Sequence, residues 1–467
     1  MFDLIIKNGM IVNAQESHLA DLAVTGGKIM EIAPEIQEPA SMTIDAEGKY
    51  VLPGLVDART HFSKAREGLD PAVELAQGSR AALFGGVTSI LEEVDFTAET
   101  KNFTELLRHA QDLMDGHCYT DYSFHGRYQK LDSSFLDELQ NMAERGISSL
   151  NATLCGPEAL GTEDLSRIFV CGAAAGTLIC IHPESEEAIA SLEKVLVQNH
   201  LTSPYYHAIS RPNLTEAQAV AQSLSAAAAA GDAPIYLQQI TCRESLAQIR
   251  AARARGQRNI HVETCTHYLL LNNLLSTKED SGARYVVNPP LRSPADNRAL
   301  WEALSSGLIQ CLASDHYGYS SREKENPRPN EKWDFRHCPP GLPGVRHRLD
   351  LLYHYGVGEN RLSIERLVAV CSSNPARIFG LYPRKGLLAP GSDADIVIYD
   401  AELSQRLSEL HGGSDFCPYA GWRLQGGVSS VLLRGKLLVD RGALLEEKAR
   451  GIFLPREKSI LDADTML

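Results

Sequence analysis

The stretch GKYVLPGLVDARTHF, residues 48–62, decides how the chain is read. Val51, Leu52, Leu55 and Val56 form a short apolar run around Pro53-Gly54, the texture of a strand buried on both faces. The run turns polar at its C-terminal end. Arg59 and His61 stand two residues apart there, and a period of two puts them on one face of a strand. A strand that is apolar along its length and polar at its C-terminal end suits an α/β fold that gathers its chemistry at one mouth.

Seven further runs repeat the pattern: TSILEEV (88–94), CYTDYSFH (118–125), SSLNATL (148–154), LICIHP (178–183), IYLQQIT (235–241), NIHVETC (259–265) and LIQCLASDH (308–316). The segments between them, such as PNLTEAQAVAQSLSAAAAAG and CRESLAQIRAARARG, have helical composition. Eight strands alternating with helices predict an α/β (β/α)₈ TIM barrel over residues 51–389. Polar residues close the runs at Arg59, His61, His125, His182, Gln239, Asp315 and His316, so the expected site lies at their C-terminal ends. No glycine-rich phosphate loop follows the first strand, which argues against a nucleotide-binding fold.

The two ends of the chain have another texture. Residues 1–50 are short alternating strands with turns at Asn8-Gly9, Gly26-Gly27 and Glu47-Gly48, and ADIVIYD and SSVLLRGKLLVDRG repeat it near the C-terminus. They predict one small β-sandwich domain built from residues 1–50 plus 390–456, with 457–467 left as a tail. The 467 residues are 44% hydrophobic and 22% charged, with a formal net charge of −14, which excludes the basic footprint of a nucleic-acid or anionic-membrane partner. The start, MFDLIIKNGMIVNA, lacks the layout of a signal peptide, and no apolar run is long enough to span a membrane. Ten cysteines without a CxxC motif fit reduced thiols, so a cytoplasmic location is expected.

Several segments together resemble one family. GKYVLPGLVDARTHF is similar to the first-strand signature of the amidohydrolase superfamily. YYHAISRP (205–212), HVETCTHYL (261–269), NPPLR (288–292), LASDH (312–316), GLPGV (341–345), NPARIFGLYPRKG (374–386) and PGSDADIVIYD (390–400) resemble its hydantoinase and dihydropyrimidinase branch. The resemblance runs along nearly the whole chain in the right order. It implies hydrolysis of cyclic amides at a pair of metals held by two His on the first strand, a carbamylated bridging lysine, two further His and an Asp on the last strand. Such a pair makes hydroxide at neutral pH and polarises the carbonyl.

Carried over residue by residue, the metal set is incomplete. Arg59 stands where the first His belongs, while His61 matches the second; no lysine occurs from 131 to 193 to make the bridge. His182 matches, Gln239 replaces the sixth-strand His, and Asp315 matches. An arginine stays protonated at any working pH. At about 4 Å from a dication, with an effective dielectric near 20, it opposes the metal by roughly 8 kcal/mol. The expectation is therefore no lysine-bridged binuclear centre: either no metal, with Arg59 pairing to Asp315, or one divalent ion, zinc by ligand type, on His61, His182 and Asp315. Cys155, Glu158, Cys242 and His125, near strand ends, are candidate substitute ligands.

The resemblance also implies a substrate frame of Asn288, with Gln239 beside it. Pro340 replaces the usual Asn before the Gly-x-Pro-Gly-Val run, and Arg346 replaces an acid after it. Arg59 and Arg346 would then favour an anion. Three functions stay open: a hydantoinase-like hydrolase working with one metal or substitute ligands on His61, His182 and Asp315, with Asp315 as general acid/base; a catalytically silent scaffold or regulatory subunit; and a metal-free enzyme or small-anion binder using Arg59 for charge and Asp315 or His182 for proton transfer. The partner is expected to be a small cyclic amide, ureide or anion. A homodimer or homotetramer is expected from the family resemblance and the alanine-rich segment SLSAAAAAG.

Overall fold

In the computed structural model, which describes residues 1–63, 69–95, 103–128, 131, 134–278, 281–326, 328, 332–408 and 413–458, the opening run is shared between two sheets. The first sheet takes β1 (Phe2–Val12), β2 (Ser17–Thr25), β3 (Lys28–Ala33), β4 (Ala40–Asp45) and β5 (Tyr50–Pro53). The barrel begins only at β6 (Leu55–Asp57). Gly54 is the joint: a Cβ there would run into the Thr88 side chain, so only glycine lets the chain change sheets so close to the next barrel strand.

The other barrel strands are β7 (Val87–Asp95), β8 (Asp121–Arg127), β9 (Ser149–Thr153), β10 (Leu178–His182), β11 (Ile235–Leu237), β12 (Ile260–Cys265) and β13 (Cys311–Ala313). They pair in sequence order and in parallel, β6 through β13. The ends of the series meet: the Asp315 amide donates to the Arg59 carbonyl at 3.1 Å, and Thr60 bridges His316. The chain thus forms the expected α/β (β/α)₈ barrel, with the C-terminal ends of the first and last strands side by side.

The remaining strands, β14 (Ile396–Arg406), β15 (Arg423–Leu433), β16 (Lys436–Asp440) and β17 (Ala443–Leu444), complete a nine-stranded, mostly antiparallel sheet with β1–β5, the β-sandwich element of the fold. Its core is Leu4, Ile6, Val51, Ile396, Ile398 and Leu432. A buried Lys385 fastens it to the barrel, reaching Asp121 of β8 at 2.7 Å and Asp395 beside β14 at 2.5 Å. A buried cation of this kind is tolerable because it is fully paired.

The segment after β17 leaves the sheet and crosses the end of the barrel remote from the mouth. Tyr122 donates to the Ile452 carbonyl, and Leu454 donates back to Tyr122 at 2.7 Å. Arg456, 4% exposed, enters the barrel wall and donates to Ser123 Oγ at 3.0 Å and Ser149 Oγ at 2.8 Å. Of the tail 457–467, residues 459–467 lie outside the described residues. The alanine-rich helix Asn213–Ala229 buries Ala219, Val220, Leu224 and Ala227 within the chain. No described helix is long and apolar enough to cross a membrane.

Candidate active site

Strand ends β6–β11 and the loops after β12 and β13 line a cleft of about 230 Å³ at the barrel mouth. Two clusters of side chains form its walls, joined by Gln239.

The first cluster centres on Asp315. Arg59 Nε donates to its Oδ1 at 3.0 Å, His61 Nε2 lies 3.2 Å from the same oxygen, and Gln239 Nε2 donates to Oδ2 at 2.5 Å. Burial would raise the Asp315 carboxyl, but the His61 hydrogen bond and the Arg59 charge hold it below the usual carboxylate range. Glu93, at the end of β7, stands 3.8 Å from Arg59 Nη1 and accepts from Asn151 Nδ2 at 2.7 Å. Burial pushes Glu93 up, but His61, Arg59 and Arg127 outweigh it and hold the carboxyl at about 2. Burial likewise works against the Arg59 charge, and Asp315, Glu93 and Glu263 reverse the sign, so the guanidinium is held more firmly protonated than usual. Arg59 Nη1 is nevertheless buried without a hydrogen-bond partner. Tyr317 stacks on His61 with ring centres 4.2 Å apart.

Gln239 and Asp315 both have left-handed backbones, at φ 52° and 48°. For residues other than glycine that costs on the order of 1–3 kcal/mol each, a strain typical of functional sites. Here it turns two strand-end side chains toward each other.

The second cluster is built on β10 and its loop. His182 Nδ1 lies 2.7 Å from Gln239 Oε1, and its Nε2 lies 3.3 Å from Glu184 Oε2. Since the amide oxygen only accepts, Nδ1 carries a proton. Arg211 donates to the same Glu184 oxygen at 2.8 Å. Candidate ligand atoms of Cys155, His182 and Glu184 lie within 4.8 Å of one another. Burial would lower the His182 pKa, but Cys155 and Glu184 raise it to about 10. Glu184 Oε1 and Arg211 Nε are both buried without partners.

The remaining sequence candidates divide. Asn288 lines the cleft, and its carbonyl accepts from Gln239 Nε2 at 3.2 Å. Arg346 does not line it: its guanidinium lies 4.9 Å from the Phe84 ring, against the helix Pro71–Phe84, because the turn after Gly344 directs it outward. This corrects the expectation that it frames the ligand. The trio His61, His182 and Asp315 does not converge on one point either. Among the described residues only Cys155, His182 and Glu184 bring three candidate ligands together, because Gln239 stands between His182 and Asp315.

Two of the proposed substitute ligands are committed elsewhere. His125 uses both ring nitrogens, on Ser149 Oγ at 2.7 Å and the Ala58 carbonyl at 2.9 Å, and burial lowers its pKa to about 3. Cys242 packs against Glu216 and Ser245 outside the cleft. Glu158 is in the cleft wall but paired with Arg127. Sequence reading missed Glu93, Asn151, Glu184 and Arg211. Each had a faint signal: Asn151 is a lone amide within the apolar part of SSLNATL, and Glu184 follows His182 by two residues. Asn151 lies in the middle of β9, the fourth barrel strand, and lines the cleft.

Comparison with known proteins agrees with the fold. Residues 50–438 match the amidohydrolase family. The chain is 37% identical over 462 residues to a D-phenylhydantoinase of Escherichia coli, covering 97% of this chain and 98% of that one. The D-hydantoinase of a Bacillus species superposes with a TM-score of 0.93 at 32% identity, covering 97% of this chain and 99% of that one. The dihydropyrimidinase of Brevibacillus agri superposes with a TM-score of 0.92 at 31% identity, with 97% and 98% covered.

Proposed function

The chain belongs to the amidohydrolase family, on its hydantoinase and dihydropyrimidinase branch, and from that premise we propose that it opens small cyclic amides or ureides without a lysine-bridged metal pair. One observation carries the reading: Arg59 is seated on Asp315 at 3.0 Å, with Nη1 buried without a hydrogen-bond partner. The donor set does not fit two metals. A fixed cation holds the carboxylate that would be a ligand, Gln239 fills the gap to His182, and no lysine occurs from 131 to 193 to make a bridge. A single ion on Cys155, His182 and Glu184 is disfavoured for a related reason. Arg211 already neutralises Glu184 at 2.8 Å, and a guanidinium about 5 Å from a dication opposes it by roughly 7 kcal/mol at an effective dielectric near 20.

The side chains present supply a different division of labour. A buried donor without a partner is costly, and a ligand oxygen relieves it. Arg59 Nη1 therefore suits a ring carbonyl, whose developing negative charge it stabilises. His182, held by Gln239 and Glu184 with its pKa raised, donates a proton to the leaving ring nitrogen. Asp315 has every oxygen engaged and acts as an anchor that positions Arg59 and His61 rather than as a free base. A cleft of about 230 Å³ suits a single small ring. Assembly as a homodimer or homotetramer is part of the same proposal, checked by light scattering at micromolar concentration.

The test is ring opening of hydantoin, 5-phenylhydantoin and dihydrouracil by protein treated with a chelator, alongside elemental analysis. Turnover that survives with less than one metal per chain is expected. Two metals per chain, with turnover lost on chelation and restored by zinc, would overturn the proposal.

A further inference from the structure

We propose that Cys155 is the nucleophile of this ring opening, paired with His182; the inference rests on the hydrolase reading above. The trio Cys155, His182 and Glu184 gathers a thiol, an imidazole and a carboxylate within 4.8 Å; Cys155 and His182 line the cleft, and the buried Glu184 contacts His182. The carboxylate orients the imidazole, which faces the sulfur, an arrangement suited to activating a thiol. His182 is fixed from its other side by Gln239 at 2.7 Å. Arg211 faces the same sulfur and lines the same cleft.

Three buried polar atoms in this region have no partner: Glu184 Oε1, Arg211 Nε and Arg59 Nη1. Glu184 is completely buried, so its open oxygen is not explained by water at a surface. Arg59 and Arg211 line the cleft, and the buried Glu184 contacts His182 and Arg211 beside it. The other cysteines do not share this setting. Cys155 lines the cleft, while the buried Cys118, Cys180, Cys242, Cys265, Cys311 and Cys371 do not.

The chemistry closes without a metal. The Cys155 sulfur attacks the ring carbonyl as its proton passes to His182, forming a C–S bond, and the carbonyl oxygen takes up negative charge beside the arginines. The C–N bond breaks as His182 gives its Nε2 proton to the departing nitrogen, leaving a thioester and a neutral imidazole. Water then attacks the thioester while His182 takes its proton. The C–S bond breaks as His182 returns that proton to the sulfur, and the starting cysteine and imidazole are restored. The net change is addition of one water across the amide bond.

The experiment uses the full chain with hydantoin and dihydrouracil, in the presence and absence of hydroxylamine, and with iodoacetamide mapped by peptide mass. Hydroxylamine should divert product to the hydroxamate, and alkylation of Cys155 should abolish turnover. Cys155→Ser and Cys155→Ala should each lower kcat by at least about 100-fold with Tm retained, whereas Cys171→Ser should leave it unchanged. Turnover by the wild type that Cys155→Ala retains would overturn the nucleophile and leave the hydrolase reading standing. A wild type that neither opens any of these rings nor forms an adduct would overturn both. Stoichiometric zinc lost in Cys155→Ala would make the sulfur a ligand and overturn the nucleophile.

Discussion

Replacing Arg59 by Ala isolates the ion pair on which the proposed metal-free reading rests. The guanidinium is 11% exposed, and the carboxylate it holds is 2% exposed. Removing one member of a buried ion pair costs about 3–5 kcal/mol, because the other charge is left behind. Asp315 keeps His61 at 3.2 Å and Gln239 at 2.5 Å, and Glu93 keeps Asn151 at 2.7 Å, so the lower end, about 3 kcal/mol, is expected. An unfolding entropy of about 2.1 cal/mol/K per residue over 467 residues makes that a fall in Tm of about 3 °C. A double-mutant cycle with Asp315→Asn, followed by thermal and urea unfolding, should return a coupling of about 2–3 kcal/mol. The pH dependence has a definite sign. The folded Asp315 pKa is lowered, so its contribution is present above the ordinary 3.8 and is lost as pH falls through the lower folded value. The gap between wild type and Arg59→Ala should narrow in the same window. A coupling below about 0.5 kcal/mol at pH 7 would show that the pair is incidental and refute the argument from Arg59.

Three further outcomes are expected. Glu263 is buried on β12, and burial raises its carboxyl from 4.5 to about 7; its stabilising proton is fully in place below 4.5 and lost as pH rises through 7, a swing of about 3 kcal/mol, so Glu263→Gln should flatten the pH dependence of Tm across that window. Arg59→His combined with Gln239→His should raise zinc content toward one equivalent without making a bridged pair, read by elemental analysis; unchanged zinc would mean that the strand ends cannot reform a ligand set. Arg456→Met removes donors to Ser123 and Ser149 at about 1 kcal/mol each, so chymotrypsin should cut more readily at Phe453, and an unchanged cutting rate would show that the strap is held without Arg456.

The sequence by itself determined the barrel, its companion sheet and the orientation of the site. Periodicity is a local property: an apolar run ending in a polar residue is visible one strand at a time, and eight of them in order leave few other arrangements. The residues on which the proposed loss of metal ligands rests, Arg59 and Gln239, are likewise matters of identity read along the chain. Only the tertiary structure decided which polar residues act together. Glu93, Asn151, Glu184 and Arg211 come from four separate segments and read as ordinary polar positions until barrel closure brings them to one mouth. Arg346 shows the converse, a charge in a family-like motif that a local turn sends to Phe84 instead of the cleft. Likewise, neither His182 nor Asp315 announces that Gln239 will stand between them, since that contact depends on two left-handed backbones at strand ends far apart in the chain. Identity is written along the chain, but which atoms meet depends on closure in three dimensions, and hydrogen bonding and charge act only over those final distances.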